Sequence, residues 1–577
     1  MDQRERTRDI YEVVPGYPPA PQPPLPAPGD FSTLQSMGLT LTPFSRRVMS
    51  AAMKITGFGK FWPTLPERIE QLQRTVNLRG PALYAQAVSA TLALVDDARP
   101  LTPYQRAATL ALAVRRLHDE YFAAALPPDT VRGAAAEMGQ YANLFSTSVA
   151  WESGLPRLYK SKEADKIAVV VGGRFFVIDI VPGTMVADLA ATLESCAALA
   201  EEAARDGAER TLARITAASD MTQRKLMPTL AQRPGNAESL VALGHTLVTV
   251  CLDLDAHPAD HAEAALIAHR DNPDNRWWYA SLQLVVFGNA RACAVCSFSA
   301  YLDGNVMMRG AAEIVCRAAA YALTEDARPR VLPVRELHWA VGQPALAMAD
   351  ADRLRLRDEQ PLATYEFPGL GQHFFAAAKI DPVPAFVLAL ALATKQFTQT
   401  VPLVTQFLTM SRYRCTDLVT AMVTTPEVSA FAEAPDAAKL SLAIDAQKEV
   451  MSEARKSLSL QTVFRLFINS DPAKRNFRGT IKRATTAFLR RAGVFKPRAR
   501  EIVVSHPAIY PEVPIVGRPG ARLPYTKYFG LHYQIWDEKT VVTFMPGTNW
   551  QVKNEELAEE LRKGLEKVGE LGGATAR

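Results

Sequence analysis

The segment CSFSAYLDG, Cys296 to Gly304, places Ser299, Tyr301 and Asp303 after an apolar run that is typical of a strand. Ser299 and Tyr301 could donate hydrogen bonds to a bound carbonyl group. Asp303 could act as a base if burial raised its pKa, although an aspartate directly before a glycine more often caps a turn. The segment contains no histidine, the side chain that most often accepts a proton near pH 7. It therefore has donors for chemistry at a carbonyl group but no obvious base.

Histidines elsewhere in the chain could supply that base. His506 directly follows Ser505, and His532 lies in the strand pattern GLHYQI. Neighbouring residues of a strand face opposite ways, so His506 and Ser505 are not expected to point into one site. His338 in ELHWAV is interpreted as a core residue. The polar loop 255–261 carries two histidines without further metal ligands, so no metal site is predicted.

The cysteines and the apolar runs indicate the cellular compartment in which the protein is expected. Cys293 and Cys296 form a C-x-x-C pair within RACAVCSFS, where strand alternation puts them on opposite faces. A buried structural pair is favoured over a metal or redox site. The opening MDQRERTRDIYEVV lacks the apolar centre of a signal peptide, and no apolar run approaches the length of a membrane span. We expect a cytoplasmic protein with reduced cysteines and no membrane span.

Length and charge limit the possible architectures and partners. A chain of 577 residues is too long for one hydrophobic core, so two domains or a doubled architecture are expected. Its 65 basic and 60 acidic residues leave a net charge of +5, which does not favour nucleic-acid binding. One basic stretch, Lys474 to Arg500, holds ten Lys or Arg and no acid. It is interpreted as a solvated helical face or as a docking surface for an acidic partner.

Periodicity divides the chain into four regions. Residues 1–30 are a Pro-rich, extended lead-in, and residues 31–127 have mainly helical spacing. Residues 128–345 and 346–577 each mix strand and helix patterns, which predicts two α/β halves with sheets covered by helices.

Three segments give sharper predictions of secondary structure. KIAVVVGGRFFVIDIV reads as a hairpin whose turn is Gly172-Gly173. Two segments predict amphipathic helices. The apolar positions of these two helices are Leu110, Val114, Leu117 and Tyr121 in the first, and Leu557, Leu561, Leu565 and Val568 in the second.

Several segments, in order from about Met138 to Leu571, resemble the choline/carnitine acyltransferase family. MGQYANLFSTSVAW and the following hairpin are similar to that family's Met-x-Gln-Tyr helix and Gly-x-Phe-Phe hairpin. SLVALGHTLVTVCLDLD and NRWWYASLQLVVFGNARACAVCSFSAYLDG resemble its Cys-Leu-Asp strand, its Asn-Arg-Trp motif and the strand before its catalytic turn. YFGLHYQIWDEKTVVTFM resembles its C-terminal hairpin. The resemblance implies an α/β fold of two chloramphenicol-acetyltransferase-like domains, residues 128–345 and 346–577, that meet at a central tunnel.

The resemblance also implies a reaction, from which this sequence departs at the central residue. In the family, the histidine of H-x-x-x-D-G takes the proton of an acceptor hydroxyl that attacks an acyl-CoA thioester. Here Ser299 occupies the histidine position, while Asp303 and Gly304 are kept. A serine hydroxyl cannot accept that proton without a base of its own, and general-base catalysis is typically worth about 10²–10⁴ in rate. Conventional acyl transfer is therefore expected to be impaired.

Other motifs of the family are also altered. Its Asp-Arg-His turn is best matched by 461–463, Gln-Thr-Val, and its Thr-Tyr-Glu motif by 405–407, Thr-Gln-Phe. Of its CoA-side lysines only Lys379 remains, and of its Ser-Thr-Ser motif only Ser505, the residue that the family uses to stabilise the oxyanion. No choline or carnitine recognition is therefore expected.

Three functional hypotheses follow. The protein could be a repurposed enzyme that acts on an acyl thioester, bound to coenzyme A or to a carrier protein, in the tunnel. It could be an inactive pseudo-acyltransferase that binds a ligand or partner. It could also be an O- or N-acyltransferase with a relocated base, His506 or His532. In the first case an acidic acyl carrier protein, whose phosphopantetheine arm replaces coenzyme A, could dock at Lys474 to Arg500. No tightly bound cofactor is expected.

Overall fold

A computed structural model provides the structure. It describes residues 14–21, 23–25, 86, 88–131, 133–152, 154–205, 211–297, 302–323, 328–359, 362–413, 419–458, 501–519, 528–547, 550 and 552–573. Within these ranges the chain forms an eight-stranded and a six-stranded sheet, each of them mixed, with helices packed against them and two small hairpins. The predicted α/β class with two mixed, helix-covered sheets is confirmed.

The strands of the described residues are β1 (Ser89–Leu94), β2 (Thr130–Val131), β3 (Ala134–Ala135), β4 (Thr147–Glu152), β5 (Leu155–Lys160), β6 (Lys166–Val171), β7 (Arg174–Asp179), β8 (Thr249–Asp253), β9 (Leu282–Phe287), β10 (Ala292–Ser297), β11 (Val334–Leu337), β12 (Ala363–Pro368), β13 (Leu403–Leu408), β14 (Val419–Met422), β15 (Glu501–Ser505), β16 (Ile515–Pro519), β17 (Tyr528–Ile535) and β18 (Lys539–Met545). The α-helices are α1 (Pro103–Phe122), α2 (Val186–Arg205), α3 (Ala213–Thr216), α4 (Asp220–Leu230), α5 (Pro234–Gly244), α6 (His261–Arg270), α7 (Gly304–Ala319), α8 (Gln343–Glu359), α9 (Gln372–Ala377), α10 (Pro382–Thr398), α11 (Pro426–Glu433), α12 (Ala437–Ala454) and α13 (Asn554–Gly572). Two 3₁₀ turns cover Gly139–Leu144 and Pro273–Asn275.

The first sheet has the strand order β11-β7-β6-β8-β9-β10-β1-β16, and helices cover both of its faces. Strands β6, β8 and β9 run parallel to one another, and the other pairs are antiparallel. The predicted hairpin is β6–β7, and its turn residues Gly172 and Gly173 have φ angles of 57° and 75°. Glycine suits this turn because other residues rarely adopt positive φ.

Helix α1 confirms the first amphipathic prediction. Its four apolar positions are fully buried against the first sheet. The helix begins with a capping box, in which the Gln105 amide donates to the Thr102 hydroxyl at 3.1 Å and the Thr102 amide donates to the Gln105 side chain at 3.0 Å.

Strand β1 lies within residues 31–127, where the sequence predicted helix. Its sequence SATLAL is buried along its whole length between β10 and β16. A strand that is covered on both faces shows no polar alternation, so its pattern resembles a buried helix. The prediction was therefore wrong for Ser89–Leu94, and residues 31–85 lie outside the described part of the chain.

The second sheet has the strand order β12-β18-β17-β15-β13-β14, with β13, β15 and β17 parallel. Helices α9 to α13 pack on one face of it. The C-terminal amphipathic helix is confirmed as α13, whose four predicted apolar positions are all buried.

Strand β16 comes from the C-terminal part of the chain but pairs with β1 in the first sheet. The Thr543 hydroxyl of β18 donates to the Val516 carbonyl of β16 at 2.7 Å. The Glu137 amide also donates to the Ser411 carbonyl at 2.7 Å. The two sheets are therefore joined by backbone as well as by side chains.

Two further sequence interpretations can be checked in the first half. Cys293 and Cys296 are buried in two different cores on opposite faces of β10, as alternation predicted. Burial raises the pKa of the Cys296 thiol to about 12 and also raises that of Cys293, so neither is a ready thiolate. In the Pro-rich segment, Tyr17 packs on Tyr121 with ring centroids 5.3 Å apart.

Candidate functional site

Asp303 is the N-cap of α7. Its side chain accepts a hydrogen bond from the Asn305 amide at 3.0 Å, and its own amide donates to the Gln140 side chain at 2.7 Å. Gln140 belongs to the 3₁₀ turn Gly139–Leu144. The capping role that the Asp-Gly sequence favoured is confirmed, and Gln140 braces the turn from the other side.

Several predicted residues lie outside the described part of the chain. Ser299 and Tyr301 are among them, as are residues 461–463 and the whole basic stretch Lys474 to Arg500. Their roles stay predictions from the sequence.

Ser505, the last residue of β15, lies next to His532, which is within β17. They are paired in the parallel register, and His532 Nδ1 lies 3.3 Å from the Ser505 carbonyl oxygen. If Nδ1 carries the proton and donates it to this carbonyl, Nε2 of the neutral ring is a hydrogen-bond acceptor. Nε2 is buried and has no hydrogen-bond partner among the described residues.

His506 lies on the other side of β15, against the ring of Tyr533 with centroids 4.9 Å apart. Tyr533 in turn stacks on Phe386 of α10 at 3.8 Å. Ser505 and His506 therefore face opposite ways, and His506 lies on the helix-covered face of the second sheet. Nε2 of His506 is also buried without a partner in the described ranges.

Burial keeps both imidazoles neutral at pH 7. It lowers the pKa of His506 to about 4 and that of His532 to about 3. The positive charge that His506 would carry lowers the pKa of His532 further, whereas Asp381 raises that of His506. Each ring is thus available as a proton acceptor, although a weak one.

The segment after β15 reaches the turn that Asp303 caps. The Ala508 amide donates to the side-chain oxygen of Asn305 at 3.4 Å. The first turn of α7, which Asp303 caps, therefore contacts the segment that begins directly after Ser505 and His506.

The CoA-side segment lies beside this region. Lys379 follows α9 in a left-handed conformation with φ of 56°, and Asp381 caps α10. Asp381 is 3.5 Å from the ammonium of Lys448 on α12. Sequence reasoning missed Lys448, because only the fold places α12 next to the start of α10.

The altered Thr-Gln-Phe motif is hydrogen-bonded within the second sheet. Thr405 donates to the Glu501 carboxylate at 2.5 Å, and the Tyr533 hydroxyl donates to the Gln406 side chain at 3.2 Å. No group of three or more potential metal ligands was found among the residues that the structure describes. None of the described helices is both long and apolar enough to pass through a bilayer.

Two motifs of the resemblance meet away from this site. Arg276 of Asn-Arg-Trp and Asp253 of Cys-Leu-Asp are both buried, and Arg276 Nη2 lies 2.6 Å from Asp253 Oδ2. The Asn275 side chain also donates to Asp253, at 2.7 Å. These motif residues therefore join the end of β8 to the segment before β9.

Comparison with known proteins confirms the resemblance. Residues 76–464 match the choline/carnitine O-acyltransferase family, and the chain belongs to this family. No curated protein matches the chain in sequence.

Among solved structures, the first condensation domain of the calcium-dependent antibiotic synthetase, in complex with a substrate analogue, is 12% identical, with 85% of this chain and 92% of that chain covered and a TM-score of 0.38. The TRI3 trichothecene 15-O-acetyltransferase from Fusarium sporotrichioides is 10% identical, with 87% and 94% covered and a TM-score of 0.37.

Proposed function

We propose that the protein acts on an acyl thioester, bound to coenzyme A or to a carrier protein, where the Asp303 turn meets the Ser505 end of β15. Membership of an acyltransferase family supports the reaction class. The observation that supports the proposal is the Ala508 to Asn305 hydrogen bond, because it joins the segment that follows the retained Ser505 to the helix turn that the retained Asp303 caps.

The proposed reaction transfers the acyl group to a hydroxyl or amine. The acceptor oxygen or nitrogen attacks the thioester carbon, the C–S bond breaks, and the acceptor's proton finally reaches the departing sulfur. Ser505 would donate to the oxyanion. Ser299 in the family's histidine position cannot take the proton, whereas the unpaired Nε2 of His532 or His506 could hold it during transfer.

The first test is a calorimetric titration with coenzyme A, a short and a long acyl-CoA, and a carrier protein charged with an acyl group. We expect micromolar binding of at least one thioester, followed by turnover with hydroxyl or amine acceptors. His532→Asn should lower the rate by about 10² or more if His532 is the base. His373→Asn is the control, because that exposed side chain pairs with Glu538 away from the site. Absence of binding to every thioester at millimolar concentration would contradict the proposal.

A second candidate function is a pseudo-acyltransferase that binds a thioester or a partner without turnover. The depressed pKa values favour it, since imidazoles near 3 and 4 are weak bases. Thioester binding without acylation of any acceptor, unchanged by Ser505→Ala, would support this candidate over catalysis.

For the carrier protein, the proposed docking surface is the basic stretch Lys474 to Arg500. Arg490→Glu with Arg491→Glu should weaken carrier binding and its salt dependence but leave acyl-CoA binding unchanged. Equal carrier affinity in the variant would exclude this surface. The cytoplasmic location stays a prediction, to be checked by cell fractionation.

A further inference from the structure

Alternate residues of β17 have different surroundings. Leu531, Tyr533 and Ile535 belong to the core that the second sheet forms with its helices. His532 and Gln534 point to the opposite face, toward the first sheet, and are only 2% and 1% exposed. Trp536, the next residue with this orientation, packs against the core that contains Val541 and Trp277. His532, Gln534 and Trp536 are called the β17 polar row below.

The β17 polar row has an unusual set of unused hydrogen-bonding atoms. Both the oxygen and the nitrogen of the Gln534 side chain, Nε2 of His532 and Nε1 of Trp536 are buried without partners in the described part of the chain. Most buried polar atoms in proteins are paired, so one amide with both ends unused is exceptional.

The neighbouring strand shows the normal situation. Thr543, which lies opposite His532 in the register, donates to the Val516 carbonyl at 2.7 Å. Thr540, next to the hairpin turn, donates to the Leu370 carbonyl at 2.6 Å. The two hydroxyls of β18 are therefore paired within the protein, whereas Nε2 of His532 and both ends of the Gln534 amide on β17 have no partner in the described ranges.

The surroundings of the β17 polar row also limit the charge of any group that it could bind. Among the described residues, His506 is the one group whose charge affects the pKa of His532 besides burial, and His506 is itself neutral at pH 7. An ion placed here would be buried without a counter-charge from the part of the chain that the structure describes, which is strongly unfavourable. The matching group is a neutral one that both donates and accepts, as a secondary amide does.

We propose that the β17 polar row binds a neutral amide group of the substrate, a short distance from the reacting carbonyl. The row starts beside Ser505, and Gln534 lies two residues further along the strand, about 7 Å away. This inference rests on the proposed function only for the position of the reacting carbonyl. The amide could belong to the acyl chain or to the pantetheine arm, which both present the same chemistry to Gln534.

The test compares two CoA thioesters of equal chain length, one with a plain acyl chain and one with an internal amide, and free pantetheine as a third ligand. The wild type should bind the amide-bearing chain, or pantetheine, about tenfold more tightly than Gln534→Leu does. Similar dependence on Gln534 for both thioesters and for free pantetheine would assign the amide to the arm, because all three carry it, and dependence for the amide-bearing thioester only would assign it to the acyl group.

Stability provides an independent readout. Without ligand, Gln534→Leu should raise the unfolding midpoint, because it removes a buried amide that has no partner. Gln447→Leu is the control: Nε2 of that buried glutamine donates to the Pro384 carbonyl at 3.4 Å and the Ala443 carbonyl at 3.2 Å, and only its Oε1 has no partner in the described ranges, so its loss should destabilise the protein without changing ligand preference.

Failure of this inference can be told from failure of the proposed function. Thioester binding with equal affinity in wild type and Gln534→Leu would overturn the amide site but leave the acyl-thioester proposal standing. A lower unfolding midpoint in Gln534→Leu would also overturn it, because ordered water would then satisfy the amide. If no thioester binds, a shift of the Gln534 side-chain NMR signals on adding N-methylacetamide would still support the amide site, and no shift would end it.

Discussion

Asp303 combines a structural role with a position inherited from the family's catalytic turn, and two substitutions separate these roles. Asp303→Ala removes the acceptor for the Asn305 amide and should lower the free energy of unfolding by about 1 kcal/mol. Asp303→Ser keeps a capping oxygen without the carboxylate, so its stability should stay near that of the wild type. Urea denaturation measures both. An alanine variant as stable as the wild type would contradict the capping role, and an inactive but stable serine variant would assign the carboxylate to the reaction.

The two buried histidines should make stability depend on pH. Their folded pKa values, about 4 for His506 and about 3 for His532, lie below the usual value near 6.5 of an unfolded histidine. Between these limits the unfolded state binds more protons, so stability is complete above about pH 6.5 and falls as the pH decreases.

His532→Asn should reduce this dependence. On going from pH 7 to pH 4, the wild type should lose about 3 kcal/mol more than the variant, since each pKa unit corresponds to about 1.4 kcal/mol. Urea midpoints across this pH range provide the measurement, with the exposed His373→Asn as control. Identical pH profiles for the wild type and His532→Asn would show that His532 is protonated in the folded protein without penalty.

At the residue scale, the sequence predicted the local role of a side chain better than it predicted which side chains surround it. The Asp-Gly pair was sufficient to identify the Asp303 cap, because capping depends on a few adjacent residues. The alternation of β17 could have identified Gln534 as a companion of His532, since the two are separated by one strand period. The partners of their side-chain atoms depend on the packing of distant strands, which no local pattern contains.

At the scale of elements, the buried pair Arg276 and Asp253 connects the segment before β9 to the end of β8. Arg276→Met keeps most of the side-chain volume but leaves the Asp253 carboxylate buried without its cation. Loss of one partner of such a pair typically costs about 3–5 kcal/mol. Urea denaturation should show this loss, whereas Arg562→Met on α13, whose ion pairs are partly exposed, should cost less than about 1 kcal/mol. Similar losses in both variants would contradict the importance of burial.

Elements with clear periodicity were predicted correctly, and those defined by distant pairing were not. The β6–β7 hairpin and helices α1 and α13 follow from alternation, turn glycines and helical spacing. Strand β1 was taken as helical because both of its faces are covered, and nothing local shows that β16 joins the first sheet. Strand partners are set by the packing of the whole chain.

At the scale of the whole molecule, β16 couples the two sheets, and we expect them to unfold together. A Cβ at Gly517 would lie 2.4 Å from the Cβ of Ala265 on α6, closer than two carbon atoms can approach. Gly517→Ala should therefore push β16 away from α6 and disturb both its pairing with β1 and its contact with Thr543. Tryptophan fluorescence and circular dichroism should report one shared transition at a lower urea concentration.

The compensating change Ala265→Gly identifies the cause of this loss. It removes the atom that the new Cβ would meet, so the double variant Gly517→Ala with Ala265→Gly should be more stable than Gly517→Ala alone. The rescue should be incomplete, because glycine within a helix costs about 1 kcal/mol relative to alanine, which the single variant Ala265→Gly measures. Additive losses in the double variant would exclude the steric contact. If fluorescence and circular dichroism gave separate transitions, β16 would join the sheets without coupling their stability.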